Sequence, residues 1–313
     1  MLSGYGIENT FLNYCNLPLS TPFIPYYDHG WALDDIQAKA STLENPSNTH
    51  LAWSSRVKKN IEAVSNKKVY ITSSPFKLFK EMNSIKKNIQ KKSLYFVSHA
   101  TDKVLTNITP TVIHSFLQTL PNHFKPIDIC LHWFDYKNYY KVYKDYGYDV
   151  KSAGPIFSNS FIDRFYKIIS TYEFCLSNVL GSYVLYCVDL GIPFSRVGPV
   201  PEYLNIGNDK NVPKKFNVHD FSYAKKILSE FDGLHHSILP NQQEIIDNEL
   251  DYQNRLSKED LRMIIIKELM KSPLSIKGMN SLSRSLLKPL IFKIKNFSDR
   301  DNIKKFYKLT NAE

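Results

Sequence analysis

Short apolar runs bounded by polar residues alternate with longer amphipathic segments, most regularly between residues 93 and 205. Leu94-Tyr-Phe-Val97, Ile127 to Leu131 and Phe174 to Leu176 read as strands covered on both faces, and Asp149 to Ser152 reads as a strand edge. Between them lie predicted helices over Thr109 to Leu120, Asn138 to Tyr146 and Asn159 to Thr171. Pro110 sits where a first turn tolerates proline, and Gly147 stops the second helix. In the third, Phe161, Phe165, Ile168 and Ile169 fall on one side. The segment from Phe174 to Phe194 adds a buried strand, a polar turn, a helix, a glycine stop at Gly191 and a second strand. Strand–helix alternation of this kind predicts a doubly wound α/β domain whose strand C-termini converge on one crevice.

Residues 1–92 predict a smaller α/β unit. Phe23 to Tyr27 is extended and leads into Asp28-His-Gly-Trp31. Leu51 to Trp53 and Lys68 to Thr72 are strand candidates flanking a helix through Val57 to Val64, a spacing that favours parallel pairing. Lys77 to Lys92 reads as a basic linker or helix between the two units. After Gly198 the chain becomes loop-like, with Pro199, Pro201, Gly207 and Pro213. A helical region of residues 206–313 then includes predicted helices over Phe221 to Glu230 and Lys258 to Lys271, and ends in a basic tail.

Composition narrows the class. Of 313 residues 43% are hydrophobic, with 20 Tyr and 19 Phe, enough for sizeable cores and too apolar for a disordered chain. No run of about 18 apolar residues is present, and no basic-then-apolar leader is visible. Cys15, Cys130, Cys175 and Cys187 have no close pair, which suits buried thiols in a reducing cytoplasm. The net charge of +10 is concentrated between Lys271 and Thr310, where ten Lys and Arg face only Asp299 and Asp301. That tail implies an anionic partner. Leu286, Leu287, Leu290, Ile291, Ile294 and Phe297 interleave with its lysines, so an anionic membrane surface fits as an interfacial helix would, and a closing helix on the first domain is the other outcome.

Chemistry concentrates at predicted strand ends. Ser177 and Asn178 offer N-cap chemistry for a helix starting near Asn178, with Gly181 and Ser182 in its first turn. A helix N-terminus lined by small residues favours a phosphate through its free N–H groups and its dipole. His29 follows an extended segment and precedes a flexible glycine, so its imidazole stands at a strand end. Asp28 either fixes its tautomer or competes with it as base. Ser98 and His99 end another strand, and His132 a third, beside Trp133. An Asp-x-Asp occurs at Asp299-Arg-Asp301, within the basic tail, while Gly-x-Gly-x-x-Gly, a Walker loop and a Gly-x-Ser-x-Gly elbow are all missing, which argues against dinucleotide, P-loop and α/β-hydrolase chemistries.

Ser98-His99, Cys130-Leu-His-Trp133, Ala153-Gly154, Phe161 to Tyr166, Ser177 to Ser182 and Gly191-Ile-Pro193 occur in an order that resembles the C-terminal half of GT-B-type glycosyltransferases of bacterial surface-polysaccharide biosynthesis. Asp28-His-Gly-Trp31 resembles the His-Gly loop in the N-terminal half of those enzymes and of teichoic-acid polymerases. The resemblance covers roughly residues 23–200. It implies two Rossmann-like domains, the first small and acceptor-binding (1–92), the second donor-binding (93–205). It implies transfer of a sugar from a nucleotide-sugar donor to a glycan or lipid-linked acceptor, in the cytoplasm and at the inner face of the membrane. No metal, no cofactor and no nucleic-acid partner is expected. His29 or Asp28 then serves as base. Ser98, His99, Ser177, Asn178, Gly181 and Ser182 hold the donor phosphate, Glu173 the ribose, and Arg196 neutralises phosphate charge. A phosphate-polymer transferase shares this fold and loop, and a non-catalytic basic protein that binds nucleic acid or glycan is the alternative from another class.

Overall fold

The computed structural model describes residues 4–34, 42, 44–101, 103–207 and 213–271. The chain is α/β and carries two parallel sheets. The first has three strands in the order β1 (Tyr26–Tyr27), β2 (Thr49–Ala52), β3 (Lys68–Ile71). Helix α1 (Ile7–Tyr14) precedes it, α2 (Ser55–Glu62) connects β2 to β3, and α3 (Pro75–Met82) follows. Ser54 and Ser74 cap α2 and α3 through their hydroxyls, and Pro75 occupies the first turn of α3. The expected linker from Lys77 to Lys92 is therefore largely this helix and its extended exit.

The second sheet has five strands, all parallel. They are β4 (Lys91–Phe96), β6 (Ile127–Cys130), β7 (Val150–Lys151), β8 (Tyr172–Ser177) and β9 (Phe194–Arg196), in the spatial order β7-β6-β4-β8-β9. The chain runs outward from β4 to β7, then returns to the other side of β4, so the direction of winding reverses between β4 and β8. Crossovers run through α4 (Pro110–Gln118), α5 (Trp133–Asp145), α6 (Phe161–Ile169) and α7 (Ser182–Asp189). Alternation along the strands fills both faces. Leu94, Phe96 and Cys175 join the cluster under α6 and α7, while Tyr95, Phe174 and Leu176 join the cluster under α4 and α5. Gly191 ends α7 at φ 79°, a left-handed stop that a side chain would strain.

The cluster under α6 and α7 does not stop at the second sheet. Trp31, Leu33, Trp53 and Phe76 belong to it, and the Phe76 ring stacks on Tyr186 of α7 at 4.3 Å. The two sheets are therefore joined by a shared core. Helices α8 (Ser222–Phe231) and α9 (Pro240–Leu250) pack onto the same cluster. Helix α10 (Lys258–Lys271) returns to the first sheet, where Leu261 and Ile265 bury against Ile7, Phe11, Leu51 and Leu78.

Several elements depart from the sequence reading. Residues 7–14 form a helix that the apolar pattern did not single out. The loop-like stretch after Gly198 contributes β10 (Tyr203–Asn205) and β11 (Lys215–Phe216); β10 pairs antiparallel with both β11 and β5 (Val104–Thr106), giving a small separate sheet in the order β11-β10-β5. Helix α9 went unread because its polar sequence, PNQQEIIDNEL, has little apolar periodicity. The basic tail lies almost wholly outside the described residues, so its membrane or closing role is untouched by the fold. Among the described residues no helix is long and apolar enough to cross a membrane.

Candidate functional site

At the C-terminal edge of the second sheet, the reversal between β4 and β8 leaves a crevice where ligands commonly bind in open α/β sheets. Asn178, directly after β8, spans it. Its Oδ1 accepts from the Ser98 amide at 3.0 Å, and its Nδ2 donates to the Ser98 hydroxyl at 3.0 Å and to the Pro199 carbonyl at 2.9 Å. Pro199 reaches Asn178 because Gly198 lies against the core at φ 113°, where a Cβ would stand 2.5 Å from the Tyr95 hydroxyl.

This geometry corrects the expected start of α7. The helix begins at Ser182 with Gly181 as its cap residue, four positions later than the Asn178 start read from the sequence. Ser177 and Asn178 are buried and do not cap the helix. The Ser177 hydroxyl bonds Tyr183 Oη at 2.8 Å and accepts from the Val179 amide, which stiffens the turn from within. No side chain caps the α7 N-terminus, and Gly181, Ser182 and Tyr183 are half-buried rather than sealed. The first amides of α7 therefore have no side-chain cap, as an anion-binding helix end requires.

The His-Gly loop of the first sheet arrives at that end. The Trp31 amide donates to the Ser182 hydroxyl at 2.8 Å, and Gly30 is near enough that a Cβ there would come within 3.8 Å of the same oxygen. His29, exposed, stands beside this contact. A buried ionic clamp holds the loop down. Trp31 Nε1 donates to Glu249 Oε2 at 2.8 Å, and Arg56 grips both Glu249 oxygens at 2.6 and 2.7 Å. Arg56 also donates to the Ala32 carbonyl and lies 3.7 Å over the Tyr223 ring. A bidentate pair of this kind fixes direction as well as distance. Nothing local in the sequence marks Glu249 or Arg56, which lie 193 residues apart.

Asp28 is committed elsewhere than expected. Its Oδ1 bonds Nε2 of the fully buried His50 at 2.9 Å, and its carbonyl accepts from Trp53 Nε1. Neither Asp28 Oδ2 nor His50 Nδ1, both buried, has a protein partner. His50 was hidden in a strand whose four residues are all buried.

His99 and His132 follow the ends of β4 and β6, in the loops that leave the sheet, and stack ring on ring at 4.3 Å. Desolvation holds the His132 imidazole far below its usual range, at about 2, with His99 adding to the effect. Desolvation also lowers His99, although that ring keeps solvent-exposed surface, which tempers the shift. Both rings are neutral at pH 7 and offer one donor and one acceptor nitrogen each. His132 additionally caps α5 through Nδ1 to the Phe134 amide.

Two predicted donor residues fall outside this grouping. Glu173 is near the start of β8, at the opposite edge of the sheet, and is paired with Lys92 at 2.6 Å. Several residues of extended strand, at about 3.3 Å each, separate it from Ser177. It cannot hold a ribose at the crevice. Arg196 does end β9 on the crevice side, but Asp232 takes its guanidinium through a short hydrogen bond.

No protein-family model matches the chain, and no curated protein sequence matches it. Among solved structures, the chain is similar to UDP-GlcNAc 2-epimerase from Neisseria meningitidis, bound to UDP-GlcNAc, across 76% of this chain and 68% of that one. The identity is 13% and the TM-score 0.34, a likeness too loose to carry any inference about site residues.

Proposed function

We propose that the protein is a nucleotide-sugar-dependent glycosyltransferase, built from an acceptor-side domain of residues 1–92 and a donor domain of residues 93–205 with the helices that follow. The observation that carries this reading is the hydrogen bond from the Trp31 amide to Ser182. It brings the loop bearing the candidate base against the helix end best suited to a phosphate. The donor phosphate lies at the α7 N-terminus, where the amides after Gly181 and the helix dipole stabilise the charge that develops on the leaving group. His29 takes the proton of the acceptor hydroxyl. Asp28, bonded to His50, anchors the start of the loop. Ser98 and Asn178 shape the floor of the crevice, and His99 offers a neutral imidazole at its rim. The acceptor is a glycan or lipid-linked glycan, approached from the first sheet.

Thermal shift against UDP, GDP, CDP and CMP tests the reading. One of these ligands should raise Tm, and substitution of Ser182 by Pro, which removes an amide from the N-terminal turn, should weaken that rise. No stabilisation by any nucleotide at millimolar concentration would overturn it.

A further inference from the structure

Beside the crevice lies a cavity of about 140 Å³ that the transfer chemistry leaves unused. It is smaller than the roughly 300–1,000 Å³ that encloses a whole drug-sized ligand, so it takes one ring system rather than a complete nucleotide. Leu105, Ile108 and Leu131 supply apolar walls, while Asp135, Tyr139 and Tyr143 supply polar groups. The small antiparallel sheet forms one side through Leu105 and Thr106. Ser98 also lines it, and Ser98 is the residue that Asn178 grips across the crevice.

Asp135 is the unusual member. It is 5% exposed and has no cationic partner among the described residues. Its Oδ2 accepts from the Ala100 amide at 3.1 Å, which leaves Oδ1 for whatever occupies the cavity. Burial pushes its carboxyl up to about 6, with the Ala100 bond pulling the other way. A lone carboxylate kept in a half-apolar cavity costs stability and suits a ligand that donates to it.

We propose that this cavity receives the base of the nucleotide, and that Asp135 selects a base carrying an exocyclic amine over uracil. The proposal rests on the nucleotide reading given above. An ionised carboxylate only accepts hydrogen bonds. The amines of cytosine, adenine and guanine donate to it, whereas uracil presents a carbonyl oxygen at the corresponding edge. Position agrees with this role. The cavity opens at the ends of β4 and β6, one to two strand spacings from β8, about 5–10 Å. A ribose bridges that gap to a phosphate at α7. The flat faces of Tyr139 and Tyr143 and the aliphatic walls suit a planar ring.

Calorimetric titration of the full chain at pH 7.5 with CMP, GMP, AMP, UMP and ribose 5-phosphate provides the test. At least one of CMP, GMP and AMP should bind ten-fold or more tightly than both UMP and ribose 5-phosphate. Asp135→Asn keeps an oxygen for Ala100 and should erase that preference while leaving ribose 5-phosphate binding unchanged. Leu105→Trp, made at an exposed residue, should fill the cavity and reduce every nucleotide to the affinity of ribose 5-phosphate. UMP binding as tightly as the other three, or a preference that survives Asp135→Asn, would overturn the cavity assignment and leave the phosphate site standing. Failure of all five compounds to bind would overturn the nucleotide reading and this proposal with it.

Discussion

Replacing Asp135 by Asn should stabilise the protein at neutral pH, an unusual expectation for a buried polar residue. The Asp135 carboxyl ionises at about 6 in the folded chain against an ordinary 3.8. A folded value above the unfolded one means that the unfolded chain loses this proton first as pH rises. The stability it withholds is therefore absent below pH 3.8, grows through the window from 3.8 to 6, and is complete above it. At 1.36 kcal/mol per pH unit the gap is worth about 3 kcal/mol. Asparagine retains the acceptor for the Ala100 amide but brings an amide N–H2 that needs its own partner in the cavity, which offsets about 1–2 kcal/mol of the gain. The net expectation is a gain of about 1–2 kcal/mol at pH 7.5. Urea unfolding of parent and Asp135→Asn at pH 7.5 and pH 4 measures it. The histidines titrate in both proteins and cancel in the difference. A loss of stability in Asp135→Asn at pH 7.5, or an equal gain at both pH values, would refute the reasoning.

Gly181→Val should damage the fold before it touches a ligand: a Cβ at Gly181 meets Tyr183 Cε1 at 2.7 Å, and that ring is held against Phe96 and by the Val179 carbonyl. We expect a loss of about 1–3 kcal/mol in chemical denaturation, largely relieved in a Tyr183→Leu background. His132→Asn should flatten the acid limb of stability. A folded imidazole below its unfolded value contributes stability that is present above pH 6.5 and lost as pH falls. Asparagine keeps the α5 cap, so the slope of unfolding free energy between pH 6 and 4 should drop by up to about 1.4 kcal/mol per pH unit. An unchanged slope would mean that His132 is not titrated by unfolding in that range.

What the sequence disclosed follows from range. The second sheet was legible because parallel strands buried on both faces leave continuous apolar runs, and Gly147 and Gly191 mark helix ends through backbone conformation alone. The start of α7 was misread because Ser177-Asn178 has good capping chemistry that the fold spends instead on Tyr183, Ser98 and Pro199. Glu173 was assigned to the ribose by resemblance alone, yet the four residues of strand before Ser177 carry it to the far edge of the sheet. The His29 loop and Ser182 were each visible along the chain, but the contact between Trp31 of that loop and Ser182 was not. It depends on Arg56 and Glu249, and on a core shared by both sheets. The same holds for His50, whose partner Asp28 comes from the neighbouring strand's exit. The small sheet over the Asp135 cavity is made of three-residue and two-residue strands, too short to show alternation.

We propose that transfer occurs between the His29 loop and the α7 N-terminus. The most direct test is release of nucleotide from a panel of nucleotide sugars, measured alongside donor affinity, in the parent and in His29→Ala. Removal of a general base predicts turnover lowered about 100-fold or more with donor Kd unchanged. Turnover equal to the parent's in His29→Ala, with the donor bound equally well, would contradict the account.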